Sequence, residues 1–381
     1  MLKYILLFIR KGKLMKNNHN LLMKMKNLEK FSGAIKRCVA IAMASMLFAT
    51  TGFSLDTHPV KAQEVSSSAD KIEIPEISKD AFKKYKKISG IGANTILGAD
   101  FTYYQQCLEW GKSYKNYMSQ SVDNIFDYVK SQGINTISLK VAVNPTGENA
   151  YLSLENAIKT LKAVKASNTN LKTNLVLLYS DEITYAGTQN LPADWEKAEK
   201  EEQSVTRVES AKTYTRETIA KLKQANVLPD IVTIGNEVNW NFLGITDGEG
   251  WEGWKAMGDI SALLKKEGVK NAVSIAAQPD AASVKYIVQK LGYASVDYDY
   301  IGVNVYPDNN TNSYIKSLKN EVESCAPDKQ LIVSNVEYER VNEANTANVY
   351  TQADSIYNLL EATIDEKNAC LLYTSDAADD R

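Results

Sequence analysis

The chain has 381 residues, with 44 lysines and arginines against 46 aspartates and glutamates and a hydrophobic content of 44%. That is enough apolar side chain for a sizeable core, and a formal net charge of −2 supplies no basic excess to hold nucleic acid. The two histidines, His19 and His58, both lie upstream of the region where regular structure begins. Ser-His and Cys-His nucleophiles and His-ligated metals are thereby excluded from the main domain, and carboxylates must carry any acid–base chemistry.

The Lys-rich stretch 15–37 runs into the short apolar stretch 38–49, and Val60-Lys61-Ala62 offers a small-residue cleavage site. This is the charged, apolar and cleavage pattern of a secretory signal. The apolar run is too short for a comfortable membrane span. Residues 1–62 are therefore expected to be an upstream extension and signal peptide, leaving a secreted protein without membrane contact after cleavage. Residues 63–90 read as a polar linker and 91–370 as the folded domain. Its three cysteines, Cys107, Cys325 and Cys370, are odd in number and scattered, so no disulfide framework is expected. Residues 371–381 share nothing with their surroundings and read as a non-native tail.

Within the domain, residues 95–101 read as a strand carrying Asp100. Val122, Ile125, Phe126 and Val129 then recur at the spacing of one helix face. Gly133 stops that helix. Residues 136–143 form a second strand, carrying Lys140 and closed by Asn144-Pro145. Leu154, Ala157, Ile158 and Leu161 repeat the helical period, and residues 173–178 form a third strand leading to Tyr179-Ser180-Asp181. A long polar loop with Trp195 follows, then a helix marked by Val208, Ala211, Ile219 and Leu222.

Pro229-Asp230 starts the fourth strand, Ile231-Val232-Thr233-Ile234, which runs into Gly235-Asn236-Glu237 and then Trp240. Met257, Ile260 and Leu264 mark the next helix. Residues 272–277 form a fifth strand ending in Gln278-Pro279-Asp280, and Val284, Ile287, Val288 and Leu291 a helix face. Residues 300–305 form a sixth strand, closed by Tyr306-Pro307. Ile315, Leu318 and Val322 precede the seventh strand, 330–336, and Ile356, Leu359, Leu360 and Ile364 make the last helix.

Seven strand–helix units in strict alternation predict an α/β fold with a parallel sheet and right-handed crossovers. The first turn, Ala99-Asp100-Phe101-Thr102-Tyr103, lacks the glycines of a dinucleotide site. A (β/α)8 barrel fits the span instead. The eighth strand falls where the foreign-looking tail begins. It is expected to be missing or replaced by that tail, in a truncated barrel with unpaired edges on its first and seventh strands.

In such a barrel the strand ends converge on one mouth, which would collect Asp100, Lys140, Asn144, Tyr179, Asp181, Asn236, Glu237, Gln278, Asn304, Tyr306 and Glu337, with Trp240 nearby. Carboxylates, amides and aromatic rings without histidine or a metal cluster suit a sugar. Hydrolysis of a glycosidic bond needs only two carboxyl groups, here Glu237 and Glu337, and no cofactor.

The ordered motifs Gly98-Ala99-Asp100, Tyr179-Ser180-Asp181, Pro229-Asp230, Gly235-Asn236-Glu237 and Asp299-Tyr300-Ile301-Gly302, followed by Tyr306-Pro307, resemble glycoside hydrolase family 53. These are arabinogalactan endo-β-1,4-galactanases of the retaining barrel clan A. The resemblance implies that Glu237 is the acid/base, that the carboxylate ending the seventh strand is the nucleophile, and that Asn236 contacts the sugar 2-hydroxyl. It also implies a secreted retaining enzyme acting on the β-1,4-galactan or arabinogalactan side chains of plant pectin. The chain departs from the family where Ser138-Leu139-Lys140-Val141-Ala142-Val143-Asn144-Pro145 stands for R-L-R-V-W-V-D-P, and where Leu178 replaces a histidine. On the seventh strand, the family's V-V-E-T-x-Y aligned on Tyr338 places Asn335 at the nucleophile; a shift of two residues brings in Glu337. Alternate residues of a strand share a face, so both registers are allowed, and the reading takes Glu337. The alternatives are a carbohydrate-binding barrel whose catalytic pair has decayed, and a hydrolase of another β-glycan.

Overall fold

The computed structural model describes residues 85–373, apart from 87, 93–94, 117–119, 202–205, 247–249, 277–280, 306–310, 337–347 and 365–369. All of these lie in the compact unit Ile72–Arg381. The expected signal segment 1–62, most of the linker, and Gln278, Tyr306 and Glu337 fall outside the described residues.

The first half of the domain runs β1 (Ile96–Asp100), α1 (Tyr104–Glu109), α2 (Ile125–Ser131), β2 (Thr136–Val141), α3 (Leu154–Ala166), β3 (Lys172–Leu177), α4 (Ala193–Glu201), α5 (Arg207–Gln224) and β4 (Ile231–Ile234). A two-stranded hairpin, β5 (Asn241–Phe242) and β6 (Ile245–Thr246), leads to α6 (Glu252–Lys266) and β7 (Lys270–Ile275). The chain continues through α7 (Ala281–Tyr293), β8 (Tyr300–Val305), α8 (Thr311–Cys325), β9 (Gln330–Val336), α9 (Asn348–Thr363) and β10 (Cys370–Tyr373). The large sheet is a closed barrel in the order β1-β10-β9-β8-β7-β4-β3-β2, every pairing parallel.

The barrel forms because its strands are apolar almost throughout, as strands covered on both faces must be. Every residue of β4 and β8 is buried. Outward-facing Val303, Val305 and Val333 join Ile260, Leu264, Ile287 and Leu318 of the helices in one core. Inside, Ile96, Ile231, Ala272, Tyr300 and Ile332 form a separate layer. The polar residues within the barrel satisfy one another: Asn174 donates to Ser138 Oγ at 3.0 Å and accepts from Thr233 Oγ1 at 3.0 Å. Helix starts are set by side-chain caps, Ser153 for α3 and Thr206 for α5, each accepting a backbone N–H of its first turn.

Two expectations change here. The stretch around Trp195 is a helix, α4, not a loop; it buries no residue, so it carries no apolar period to read. More important, the barrel is not left open. Of the two outcomes expected for the eighth strand, replacement by the tail is the one seen: Cys370, the last residue of the expected domain, and Leu371–Tyr373, the first three of the expected tail, fill the eighth position, pairing with β1 at four positions and with β9 at Leu371↔Val333. Neither β1 nor β9 is left as an unpaired edge. A barrel gap presents two rows of N–H and C=O groups, and the short apolar run Cys-Leu-Leu-Tyr can satisfy both.

Candidate active site

The site is built on the chain reversal after β4. Gly235 (φ +71°) and Glu237 (φ +55°) both adopt left-handed backbone. At Gly235 a side chain is excluded, because a Cβ would lie 2.3 Å from Val238 Cγ1 and 3.3 Å from Phe242. For Glu237 the left-handed conformation is strained, a condition that recurs at functional sites when the surroundings enforce it. They do so here: Val238 donates to the Ser274 carbonyl at 3.0 Å, and Asn239 Oδ1 accepts from the Ala276 N–H at 2.5 Å.

Glu237 is 6% exposed and both of its carboxylate oxygens are held. Oε1 accepts from Asn304 Nδ2 at 2.7 Å, and Oε2 accepts from the backbone N–H of Ala186 at 2.8 Å. Asn236, also buried, donates through Nδ2 to the Thr184 carbonyl at 2.7 Å, and its Oδ1 lies 3.3 Å from Asn304 Nδ2. The loop between β3 and α4 thus closes over the Asn-Glu pair. Thr184 Oγ1 and Gln189 Nε2 both donate to the Asn236 carbonyl, at 3.0 and 2.9 Å.

Asn304 is oriented from behind. Its Oδ1 accepts from Ser334 Oγ at 2.8 Å and lies 3.4 Å from Ser274 Oγ, and the two hydroxyls are 3.2 Å apart. With the oxygen engaged by hydroxyl donors, the amide nitrogen must face Glu237. Ser334 comes this close because residue 302 is glycine; a Cβ there would sit 2.8 Å from Ser334 Cβ. The pairing of β8 with β9 shifts register between Val303 and Asn304, so that Val303 faces Val333 but Asn304 faces Asn335. The extra residue is Ser334, and Val333 and Val336 both join the helix-side core, a spacing of three that a bulge explains. Asn335 is buried beside Asn304. Ser274 and Ser334 were not among the expected site residues, although each is a buried or half-buried polar residue near the carboxyl end of its strand. Thr184, Ala186 and Gln189 left no signal.

The remaining expected residues divide. Lys140 and Asp100 form a nearly buried ion pair, Nζ to Oδ2 at 2.5 Å, with Asp100 Oδ1 also accepting the Thr102 N–H at 2.7 Å. Asp181 is occupied by backbone, accepting from Asn144 N at 2.9 Å and Ala193 N at 3.0 Å, while Asn144 Nδ2 donates to Asp194 at 3.1 Å. These bonds tie the β2 and β3 loops to the start of α4. Tyr179 joins the hydrophobic core instead of lining the mouth. Its left-handed backbone (φ +53°) turns the buried ring onto α5, where it meets Tyr214 and Phe242 edge-on and its hydroxyl pairs with Thr215 at 3.0 Å. Burial pushes that phenol well above its ordinary range. Trp195 packs on Tyr214. Trp240 is exposed and leans on Tyr286 of α7. Among the described residues no group of three His, Cys, Asp or Glu side chains could hold a metal ion, and no helix is long and apolar enough to cross a membrane.

A closed parallel barrel that presents a buried carboxylate and buried amides at the C-terminal ends of its strands has the architecture of the barrel glycoside hydrolases. The chain belongs to glycosyl hydrolase family 53, whose sequence pattern matches residues 96–374. It is 29% identical over 232 residues to an arabinogalactan endo-β-1,4-galactanase of Cellvibrio japonicus, covering 58% of this chain and 59% of that one. A second protein of that description, from Thermothelomyces thermophilus, is 28% identical over 253 residues, 61% of this chain and 70% of its own. The chain thus spans about three fifths of the length of the Cellvibrio relative. Among solved structures, the family 53 catalytic domain of Ignisphaera aggregans superposes with a TM-score of 0.65 at 21% identity, over 76% of this chain and 87% of that one. A structure described as fungal β-1,4-galactanases superposes with a TM-score of 0.61 at 20% identity, over 74% and 90%. Both likenesses concern the fold.

Proposed function

We propose that the protein is a secreted, retaining endo-β-1,4-galactanase that cleaves the galactan or arabinogalactan side chains of plant pectin. The observation that carries the reading is Glu237 at the end of β4, buried and fixed through both oxygens beside Asn236. Residues 1–62 serve as export signal, and the partner is the polysaccharide alone.

In this reading Glu237 delivers a proton to the glycosidic oxygen while the carboxylate of Glu337 attacks the anomeric carbon. The C–O bond breaks and a glycosyl ester forms. Glu237 then takes a proton from water, whose oxygen displaces Glu337, so configuration is retained. Retention requires the two carboxyl groups to stand roughly 5–5.5 Å apart. Asn236 retains one N–H and a lone pair beyond its protein bonds, the capacity needed for a sugar hydroxyl. Asn304 is better supported as the residue that positions Glu237 than as a sugar contact.

One observation favours a second reading. Asn335, a neutral amide, stands beside Asn304 where one alignment of the family would put the nucleophile. Were it in that role, the barrel would bind galactan without cleaving it. Incubation with β-1,4-galactan, with released sugars followed by NMR, separates the two. Early accumulation of the β-anomer is expected; an α-anomer would exclude retention, and binding without hydrolysis would leave the second reading.

A further inference from the structure

Beside the barrel mouth, several large rings are exposed together. Trp240 is 42% exposed, Trp251 39%, Tyr286 36% and Tyr293 76%. Single exposed aromatics need no explanation, but a contiguous group does. Trp240 and Tyr286 have ring centroids 5.6 Å apart, inclined at 47°. Lys290 Nζ lies 4.9 Å from the centre of the Tyr286 ring and 5.3 Å from that of Trp251, so one ammonium joins rings from two elements. Three segments meet here: the loop leaving β4, the N-cap of α6, and the outer face of α7. On that face Gln289 and Tyr293 are exposed in line with Tyr286, and the space beside Gly292 is open. Tyr286 and Tyr293 are seven residues apart, about 10 Å along a helix.

The chemistry is specific. The exposed aliphatic residues Ile91 and Leu108 belong to other elements, and the patch itself offers flat rings with polar edges, an amide and an ammonium group. Ring faces accept the C–H face of a pyranose, and the N–H and O–H edges meet its hydroxyls. The patch is also continuous with the catalytic loop, since Trp240 lies three residues beyond Glu237. We propose that Trp240, Trp251, Tyr286 and Lys290 form a second saccharide-binding site, a platform that holds a neutral β-linked polysaccharide beside the barrel mouth. That the chain is β-galactan rests on the function proposed above.

The test uses the full chain in native gels containing soluble β-1,4-galactan, arabinogalactan, xylan or β-glucan, together with turnover of a short β-1,4-galacto-oligosaccharide. Wild type should be retarded by galactan. The double variant Trp251→Ala/Tyr286→Ala should lose about tenfold or more in apparent affinity, with its oligosaccharide turnover and melting temperature little changed. Tyr286→Trp should stay retarded. Equal retardation of the double variant, or a parallel fall in oligosaccharide turnover, overturns the platform. So does a wild type retarded by none of the four glycans, or a double variant altered only in self-association by sedimentation. Retardation lost in the double variant with no hydrolysis in wild type upholds the platform and removes the hydrolase reading. Hydrolysis without retardation does the reverse.

Discussion

Asn304 Nδ2 donates to Glu237 Oε1 at 2.7 Å, joining the end of β8 to the end of β4 across 67 residues of sequence. The bond sets the rotamer of a carboxylate whose backbone is already fixed. Replacing Asn304 with Ala should therefore lower kcat about 100-fold, the cost of a misplaced catalytic group, with a much smaller change in KM. A KM effect alone would return Asn304 to the role of sugar contact.

The two carboxylates should respond differently to substitution. Glu337→Gln is expected to abolish turnover of every substrate while sparing oligosaccharide binding. Glu237→Gln should slow substrates with poor leaving groups most, because an activated aryl glycoside scarcely needs protonation. Comparable kcat values for Glu337→Gln and wild type would remove Glu337 as nucleophile.

Gly302 makes room for Ser334, and Ser334 orients Asn304. Gly302→Ala should cost about 1–3 kcal/mol in urea unfolding, as overpacking does, and should also reduce kcat. Ser334→Ala, which removes the hydroxyl without the clash, should reduce kcat with less effect on stability. Full activity in Ser334→Ala would show that the hydroxyl is dispensable for orienting the amide.

Tyr179 gives a contrasting expectation. Tyr179→Phe removes one buried hydrogen bond, while Thr215 keeps its bond to the Ala211 carbonyl. Stability should fall by about 1 kcal/mol with kcat and KM unchanged. A marked rise in KM would place the hydroxyl in the mouth after all.

Glu199 tests the frame around the loop that carries Glu237. Hydrogen bonds from Arg207, at 2.8 Å from Nε to Oε2, hold its carboxyl below the usual carboxylate range, and Arg207 also donates to the Leu243 carbonyl beyond β4. A lowered folded value means that the stabilisation is present above the unfolded value of about 4.3 and lost as pH falls through the folded one. Glu199→Gln should therefore melt below wild type at neutral pH, and the gap should close below about pH 4. A gap independent of pH would show that the pair contributes through shape rather than charge.

What the sequence determines by itself is the alternation. Parallel strands covered on both faces are predominantly apolar, and helices laid on them show one apolar stripe, so runs such as 300–305 and faces such as Val284, Ile287, Val288 and Leu291 in strict alternation point to a barrel. The same pattern puts Asn236 and Glu237 at a strand's carboxyl end. What only the tertiary structure decided is which way side chains turn and what holds them. Tyr179 and Glu237 both leave their strands in left-handed backbone, a conformation that a tyrosine or a glutamate does not announce as glycine or asparagine does; one ring went into the core and one carboxylate under a loop. The donor on Glu237 Oε2 is the backbone of Ala186, 51 residues away, and every residue but proline carries that group. Residues 371–381 share nothing with their surroundings in sequence, yet a gap in a closed sheet asks only for N–H and C=O groups at the right spacing, and Cys370–Tyr373 supplies them.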